Sequence, residues 1–264
     1  MLCMSSSSVK QRPVALVTGA SRGIGAGIAL ELATAGFNLA LHYNSNDAAL
    51  QDVTRQLASI EGCQFSAHKA NMGSPSDCEA LVAAVLKAWN RVDVLVNNAG
   101  VCLTHDLQSP SLDFESFQQA VRETMDINFL GPANLSFLCA RAFESQPGGG
   151  RIVNITSRAA KRGELTAPAY AASKAALNAF GSSMAQHLAS KNVLVFTVAP
   201  GWVETDMARA VLEGPNSASI LAQHPLGRVA QVQEVSKLVA WLATDAPVAM
   251  TSSVIDINGA SYLH

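Results

Sequence analysis

Tyr170 and Lys174 are the two residues whose types and spacing point most directly to chemistry. They lie four positions apart in an alanine-rich segment with a helical pattern, so both side chains should project from one face of a helix. A tyrosine with its usual pKa of about 10 is a poor proton shuttle at neutral pH, but a neighbouring ammonium favours the phenolate. The pair predicts proton transfer by a tyrosine whose pKa Lys174 lowers, although this spacing also occurs by chance in many helices.

Ser157 precedes Tyr170 by thirteen positions and follows a predicted strand at 151–155. Ligands of open α/β sheets collect at the carboxyl ends of the strands, so the Ser157 hydroxyl should reach the same crevice as Tyr170. Thr156 and Ser173 are neighbouring hydroxyls, and the strand register decides which of the three points inward.

A glycine-rich turn follows the first predicted strand and opens the first predicted helix. The unpaired N–H groups and the dipole of a helix start attract a pyrophosphate, and glycine lets the backbone come close to it. A turn of this kind can also be purely structural. The segment, which we interpret as a dinucleotide-binding loop, reads Thr18-Gly19-Ala20-Ser21-Arg22-Gly23-Ile24-Gly25.

The end of the second predicted strand carries no acidic residue and reads His42-Tyr43-Asn44-Ser45. A nicotinamide cofactor with a free ribose 2′-hydroxyl is usually held at this place by Asp or Glu. Without that carboxylate a 2′-phosphate is not repelled, and Arg22 in the loop can offer it a charge-assisted contact. The pattern predicts NADP(H), unless Arg22 is only a solvated loop charge.

Together these segments resemble the short-chain dehydrogenase/reductase family. The resemblance starts from the Gly-x-x-x-Gly-x-Gly spacing behind Thr18, includes Asn97-Asn98-Ala99-Gly100, and extends over residues 14–259. Within the family the chain is most similar to the 3-oxoacyl-(acyl-carrier-protein) reductase branch, at 200–207 and in Pro225-Leu226-Gly227-Arg228.

The resemblance implies roles for individual residues. Ser157 would polarise a substrate carbonyl, Lys174 would hold the ribose hydroxyls, and Asn128 would steady a water near Lys174 and relay protons. Asn71, where many relatives carry Asp, would lie with Met72 beside the adenine. The other implied cofactor contacts are Tyr43, Asn44 and Ser45 near the 2′-phosphate, Asn98, Ala99 and Gly100 near the adenine ribose, and Pro200, Gly201, Val203 and Thr205 near the nicotinamide.

The activity implied is hydride transfer from NADPH to a small-molecule ketone or other carbonyl substrate, for which a 3-oxoacyl thioester is one candidate. An acyl carrier protein is then a candidate partner, and Arg158, Lys161 and Arg162 could contact it or simply be solvated. The stretch from Gly100 to Asn128 is longer than in a typical carrier-protein reductase. The alternatives are an NAD-linked alcohol dehydrogenase and a non-enzymatic NADP-binding protein.

A segment at 206–223 is expected to form a lid over the substrate, because Gly214-Pro215 interrupts an otherwise helical stretch. Its apolar residues favour an apolar substrate or simply pack the lid down. They are Met207, Ala208, Val211, Leu212 and Ile220.

The elements that must position these residues alternate short β-branched runs with longer helical patterns. This alternation predicts a single-domain α/β Rossmann fold with a doubly wound, seven-stranded parallel sheet and helices on both faces. We expect a helix from Pro75, capped by Ser74, to about Trp89, and a helix stop at Gly36. The predicted strands are 14–17, 38–43, 64–69, 92–96, 151–155, 193–198 and 254–257.

Composition excludes several classes of protein. The 264 residues are 49% apolar and 14% charged with a net charge of −2, which supplies a large core and no positive field for nucleic acid. Five cysteines and six histidines show no metal-ligand spacing, and no apolar run approaches the roughly 20 residues of a membrane span. We expect a polar tail at 1–12, one domain at 13–264 and a cytoplasmic location.

Two long apolar helices, near 112–144 and 169–190, exceed what one sheet face needs to cover. Relatives pair these helices, so we expect a homotetramer.

Overall fold

One seven-stranded parallel sheet forms the centre of the protein in a computed structural model that describes residues 12–215 and 217–263. The strand order is β3-β2-β1-β4-β5-β6-β7, with the crossover between β1 and β4 that marks a doubly wound fold. The predicted fold class is confirmed. The strands are β1 (Val14–Val17), β2 (Asn38–Tyr43), β3 (Phe65–Lys69), β4 (Val94–Asn97), β5 (Gly150–Ile155), β6 (Val193–Pro200) and β7 (Val254–Ile257).

Helices cover both faces of this sheet. Two clusters of buried side chains divide alternate strand residues between them: Ala15 and Val17 point to one face and Leu16 to the other. The first face is covered by α1, α2 and α10, and the second by α3, α5 and α7. The helices are α1 (Gly23–Thr34), α2 (Asp47–Ala58), α3 (Pro75–Trp89), α4 (Phe114–Met125), α5 (Gly131–Ser145), α6 (Ala159–Arg162), α7 (Pro168–Leu188), α8 (Asp206–Leu212), α9 (Ser217–Ala222) and α10 (Val232–Ala243).

Strand β4 begins two residues later than its apolar pattern predicts. Val92 is buried in the core, but its backbone N–H and C=O are hydrogen-bonded by the Gln146 side chain at 3.4 and 2.5 Å. Sheet pairing therefore starts at Val94 and extends to Asn97. The other differences are smaller: β3 starts one residue later, β5 starts one earlier, and β6 ends at Pro200.

The helical stretch expected at 112–144 is not a uniform α-helix, which corrects the prediction. Asp113 caps α4 through its side chain, and the backbone widens to a π-helical turn at Asp126–Leu130 before α5 begins at Gly131. Gly131 lies so close to the Met72 carbonyl that an added Cβ would be 2.5 Å from its oxygen. The widened turn carries Asn128, and such turns are often found at functional sites.

Other boundaries agree more closely. Ser74 caps α3 as expected, and Gly36 has a φ of +97° just after α1. Helix α7 ends at Leu188, and Ala189–Lys191 form a 3₁₀ turn instead of the predicted α-helical end. Of the predicted tail, residues 1–11 lie outside the described residues, whereas Arg12 donates to the Glu61 carbonyl at 2.8 Å.

Candidate active site

Helix α7 presents Tyr170 and Lys174 on one face, as their spacing predicts. The Lys174 Nζ atom lies 5.8 Å from the centre of the Tyr170 ring and donates to the Ile155 carbonyl at 3.0 Å. Lys174 is buried, and this desolvation lowers its pKa to about 8. The ammonium is therefore held at the carboxyl end of β5, beside the phenol.

The Ser157 hydroxyl forms a hydrogen bond with the Tyr170 hydroxyl. It also accepts from the Ala159 N–H at 3.1 Å, which fixes its rotamer. The two alternative hydroxyls are engaged elsewhere: Thr156 donates to the Val198 carbonyl at 3.2 Å, and Ser173 donates to the Tyr170 carbonyl at 2.7 Å. Strand register thus brings Ser157, and neither neighbour, to Tyr170.

The pKa of Tyr170 corrects an expectation. Burial raises it to about 12, and the hydrogen bond with Ser157 opposes this rise only in part. The decrease in the Tyr170 pKa that Lys174 was expected to cause is outweighed. Both the phenol and the ammonium lose solvation, and the ammonium is directed at the Ile155 carbonyl. Tyr170 is therefore a protonated phenol at neutral pH.

Asn128 ties the π-helical turn to the segment after β4. Its Oδ1 accepts from the Val101 N–H at 2.8 Å, while its Nδ2 donates to the Val101 carbonyl at 2.8 Å and to the Ser173 hydroxyl at 3.1 Å. A Cβ on Gly100 would lie 3.1 Å from Asn128 Oδ1 and 3.3 Å from Lys174 Nζ. The amide positions the segment that passes over Lys174.

The glycine-rich turn is held by side chains from two neighbouring strands. The Thr18 hydroxyl accepts from the Asn98 and Ala99 N–H groups at 2.9 and 3.0 Å, and Asn98 Nδ2 donates to the Thr18 carbonyl at 2.8 Å. Gly25 packs against the Gly19 carbonyl so closely that any Cβ would overlap it. Gly25 therefore lets helix α1 pack against the start of the loop. Gly19, with a φ of +64°, forms the turn of the loop.

His42 is a functional candidate that the sequence reasoning missed. Its Nδ1 accepts from the Gly19 N–H at 3.0 Å, and its Nε2 lies 3.0 Å from the Ala70 carbonyl. Because a carbonyl can only accept, the proton is on Nε2 and the ring is neutral. Burial lowers the pKa of His42, which agrees with this state. One side chain thus joins the glycine loop to the end of β3.

The start of α1 fits a pyrophosphate. Arg22 at the N-cap makes no side-chain cap, unlike Asn46, Ser74 and Asp113 at the starts of α2, α3 and α4, so the first N–H groups of α1 can meet an anion. Ser21 and Ile24 lie in this turn, and the Arg22 side chain is exposed.

The predicted adenine end forms an open groove of about 850 Å³ that Asn44, Asn71 and helix α4 line. Asn44 and Ser45 are exposed, and Tyr43 is partly exposed with its hydroxyl bonded to Asp47. Asn71 Oδ1 accepts from the Gly73 N–H at 3.0 Å. The Met72 side chain is instead buried in the core, so only its backbone faces this end.

The predicted nicotinamide contacts follow β6. Val203 pairs in parallel with Ala230, whose N–H donates to the Trp202 carbonyl and whose C=O accepts from the Glu204 N–H. The N–H and C=O of Val203 itself therefore point away from Ala230. The Thr205 hydroxyl caps α8 by accepting from the Ala208 N–H at 3.4 Å. A Cβ on Gly23 would lie 3.4 Å from Thr205, so the glycine loop faces Thr205 across the crevice.

The two remaining predicted contacts, Pro200 and Gly201, join this crevice to neighbouring segments. The Pro200 carbonyl accepts from the Arg158 N–H at 2.8 Å, and the Gly201 N–H donates to the Ile257 carbonyl at 3.1 Å.

The predicted lid contains α8 and α9. Ala208 and Ile220 are buried, whereas Val211 is exposed and Leu212 is half-buried. Asn216 and the side chain of Met207 lie outside the described part of the chain. The buried pair packs the lid down, so those two side chains are not free to line a pocket.

Arg158 is not available to a carrier protein, which corrects one of the three predicted contacts. The residue is 7% exposed, and its guanidinium donates to the Ser261 hydroxyl at 2.6 Å and to Gln223 Oε1 at 3.3 Å. The lid and the carboxyl-terminal segment therefore cover it. Arg162 is exposed and also donates to Gln223 Oε1, at 2.9 Å.

Within residues 12–215 and 217–263, no group of three or more His, Cys, Asp or Glu side chains could hold a metal ion. None of the helices described there has the length and apolar character needed to cross a bilayer.

Comparisons with known proteins place this arrangement in a family. The family model described as short chain dehydrogenase matches residues 13–216. A 3-oxoacyl-[acyl-carrier-protein] reductase of Synechocystis sp. is 36% identical over 250 residues, covering 93% of this chain and 95% of the relative. An acetoacetyl-CoA reductase of Rhizobium meliloti is 34% identical, and the match covers 94% of this chain and 98% of the relative.

A solved structure has the same fold. The short chain dehydrogenase of Burkholderia cenocepacia in complex with NADP superposes with a TM-score of 0.85 at 30% identity, covering 95% of this chain and 97% of that one. The chain belongs to the short-chain dehydrogenase/reductase family and is an oxidoreductase of that family. The predicted resemblance is confirmed.

Proposed function

We propose that this protein is an NADPH-dependent reductase that transfers hydride to a ketone, with 3-oxoacyl thioesters as the candidate substrate class. The observation that carries the proposal is the hydrogen bond between the Tyr170 and Ser157 hydroxyls beside the buried Lys174. Two hydroxyls that meet at the carboxyl end of a parallel sheet can both reach one carbonyl oxygen.

NADPH, when bound, supplies the hydride for the carbonyl carbon. The Tyr170 hydroxyl donates its proton to the carbonyl oxygen as negative charge develops there, and the Ser157 hydroxyl donates a hydrogen bond to the same oxygen. The high pKa of Tyr170 keeps the phenol protonated, which is the form that reduction needs. The Lys174 ammonium favours the phenolate that remains and is available to ribose hydroxyls.

Asn128 completes the proposed set as a positioning and relay residue. Its amide is bonded to Val101 and Ser173, and in the proposed reaction Asn128 steadies a proton-relaying water near Lys174. Its first effect is to fix the segment at Gly100 and Val101 over Lys174.

NADPH is the proposed cofactor because the proposed 2′-phosphate end offers an exposed cation, Arg22, and two neutral residues, Asn44 and Ser45. Arg22 is exposed, and among residues 12–215 and 217–263 no carboxylate forms an ion pair with it. Asn44 and Ser45 are neutral and exposed. The solved relative with bound NADP is consistent with this proposal.

An NAD-linked alcohol dehydrogenase remains the second candidate, on one observation. The Asp47 carboxylate accepts a hydrogen bond from the Tyr43 hydroxyl, so an acid does approach the end of β2. A carboxylate at that place favours a free ribose 2′-hydroxyl over a phosphate.

The test is to follow NADPH and NADH oxidation with a substrate panel. The panel contains 3-oxoacyl thioesters on coenzyme A and on a carrier protein, diketones, quinones and cyclic ketones. We expect the highest kcat/KM with a 3-oxoacyl thioester and NADPH. Faster turnover with NADH would favour the second candidate, and NADPH binding without any turnover would favour a non-enzymatic NADP-binding protein.

We also propose that the protein works as a homotetramer. Leu130 and Phe137, on the helical stretch at 126–145, are 46% and 63% exposed, and apolar surface of this kind is commonly covered by a second copy. Multi-angle light scattering would give the mass of four chains, and a monomeric mass would contradict the proposal.

A further inference from the structure

We propose that His105 is a positioning residue for Tyr170, because its imidazole caps the first turn of helix α7. His105 lies in the segment between β4 and α4, far from Tyr170 in sequence, and is 3% exposed. The inference rests on the proposed function only where its test measures turnover.

The hydrogen bonds at the start of α7 show why a cap is needed. Pro168 has no N–H, and Ala167 at the N-cap has no side chain that can accept. The N–H groups of Tyr170 and Ala171 donate to the Ala167 carbonyl at 3.0 and 3.3 Å. The Ala169 N–H donates to His105 Nε2 at 3.2 Å. His105 thus accepts a hydrogen bond from the Ala169 N–H, the first-turn donor that has no acceptor within α7 or at Ala167.

Water cannot easily replace this acceptor. Ala169 is 7% exposed, and a buried N–H without a partner is costly. Ala169 is also the residue directly before Tyr170, so a shift that satisfied its N–H elsewhere would move the phenol. The hydroxyl of Tyr170 would then leave the position at which it bonds Ser157.

The orientation of the His105 ring is fixed by its other contacts. Its Nδ1 lies 2.9 Å from the Leu103 carbonyl, which can only accept, so Nδ1 carries the proton and Nε2 is free to accept. Its backbone N–H donates to the Thr166 carbonyl at 2.8 Å, and its ring meets the Phe117 ring edge-on at 5.8 Å. His105 therefore joins the segment after β4, helix α4 and the start of α7.

Three variants separate the cap from general packing. His105→Leu removes the acceptor, and His105→Gln can place Oε1 near the position of Nε2 and accept from the Ala169 N–H. His187→Leu is the matched control, since it makes the same exchange at an exposed position in the last turn of α7.

In the activity measurement, we expect His105→Leu to lower kcat by about 10- to 100-fold, because small displacements of a catalytic group have effects of this size. The Kd for NADPH should stay within about twofold of the wild-type value, since the glycine loop is held by Thr18, Asn98 and His42 rather than by His105. His105→Gln and His187→Leu should keep kcat within about threefold. Equal losses in the Leu and Gln variants, or a parallel loss of NADPH affinity, would overturn the proposal.

A second measurement needs no substrate and so separates this proposal from the proposed function. Amide hydrogen exchange at Ala169 should be at least about tenfold faster in His105→Leu than in the wild type or His105→Gln. Unchanged exchange would overturn the cap even if the enzyme is an active reductase. Should the Leu variant not fold, ¹⁵N spectra of the wild-type imidazole decide: a protonated Nε2 contradicts the cap.

Discussion

The Nζ atom of Lys174 donates to the carbonyl oxygen of Ile155 at 3.0 Å, so the ammonium beside Tyr170 is anchored to the end of strand β5. Burial lowers the pKa of this lysine to about 8, whereas a lysine in an unfolded chain keeps a value of about 10.4. The unfolded state therefore holds more protons between these two pH values. The buried charge costs stability below about pH 8, and the cost disappears as the pH rises toward 10.4.

Replacing Lys174 by Met should raise stability while abolishing turnover. At pH 7 we expect the free energy of unfolding to rise by roughly 1–3 kcal/mol, because a buried charge is removed and one hydrogen bond to Ile155 is lost. The gain should shrink by about pH 10. Urea unfolding at the two pH values measures this. A destabilised Met variant at pH 7 would mean that Lys174 is not desolvated in the free protein.

His42 should make the cofactor loop sensitive to acid. Burial lowers its pKa, so below the unfolded value of about 6.5 the unfolded state binds more protons and stability falls as the pH falls. Protonation also places a hydrogen on Nδ1, which then cannot accept from the Gly19 N–H. We expect stability to fall as the pH drops below about 6.5, and NADPH affinity to fall at lower pH, where the imidazole of the folded protein takes up its proton.

His42→Asn is the matched variant for this test, since its Oδ1 can accept from the Gly19 N–H and does not titrate. Its stability and its Kd for NADPH should depend less on pH than those of the wild type. The same acid dependence in both proteins would assign the effect to other groups.

Asn44→Asp should change the cofactor preference. An added carboxylate in the groove at the end of β2 repels a 2′-phosphate and suits a free 2′-hydroxyl. We expect the Kd for NADPH to rise at least about tenfold, while that for NADH changes little. Asn44→Ser is the neutral control. A ratio of NADPH to NADH affinity that is equal in both variants would contradict the proposed 2′-phosphate site.

The sheet could be predicted from the sequence, because its strands are buried on both faces and appear as short β-branched runs. The predicted bounds of β1, β2 and β7 agree with the structure, and α3 was marked by Ser74 and Pro75. The boundary of β4 could not be predicted, because the backbone of Val92 is hydrogen-bonded by the side chain of Gln146, which is far along the chain.

The site was predictable where it depends on spacing and not where it depends on tertiary contacts. Tyr170, Lys174 and Ser157 meet as their positions suggested. His42 and His105 carry no motif, because their partners are backbone groups of other elements. Arg158 was expected at the surface because sequence alone did not show that the lid and Ser261 cover it. The pKa of Tyr170 depends on burial, which pair spacing does not report.

The most direct test of the proposed reaction is turnover by Tyr170→Phe with NADPH and the best ketone of the panel. The variant keeps the ring and loses only the hydroxyl that bonds Ser157. If Tyr170 is the proton donor, kcat should fall by about 10²- to 10⁴-fold while the Kd for NADPH stays within about twofold. A Phe variant that reduces the ketone at close to the wild-type rate would contradict the account.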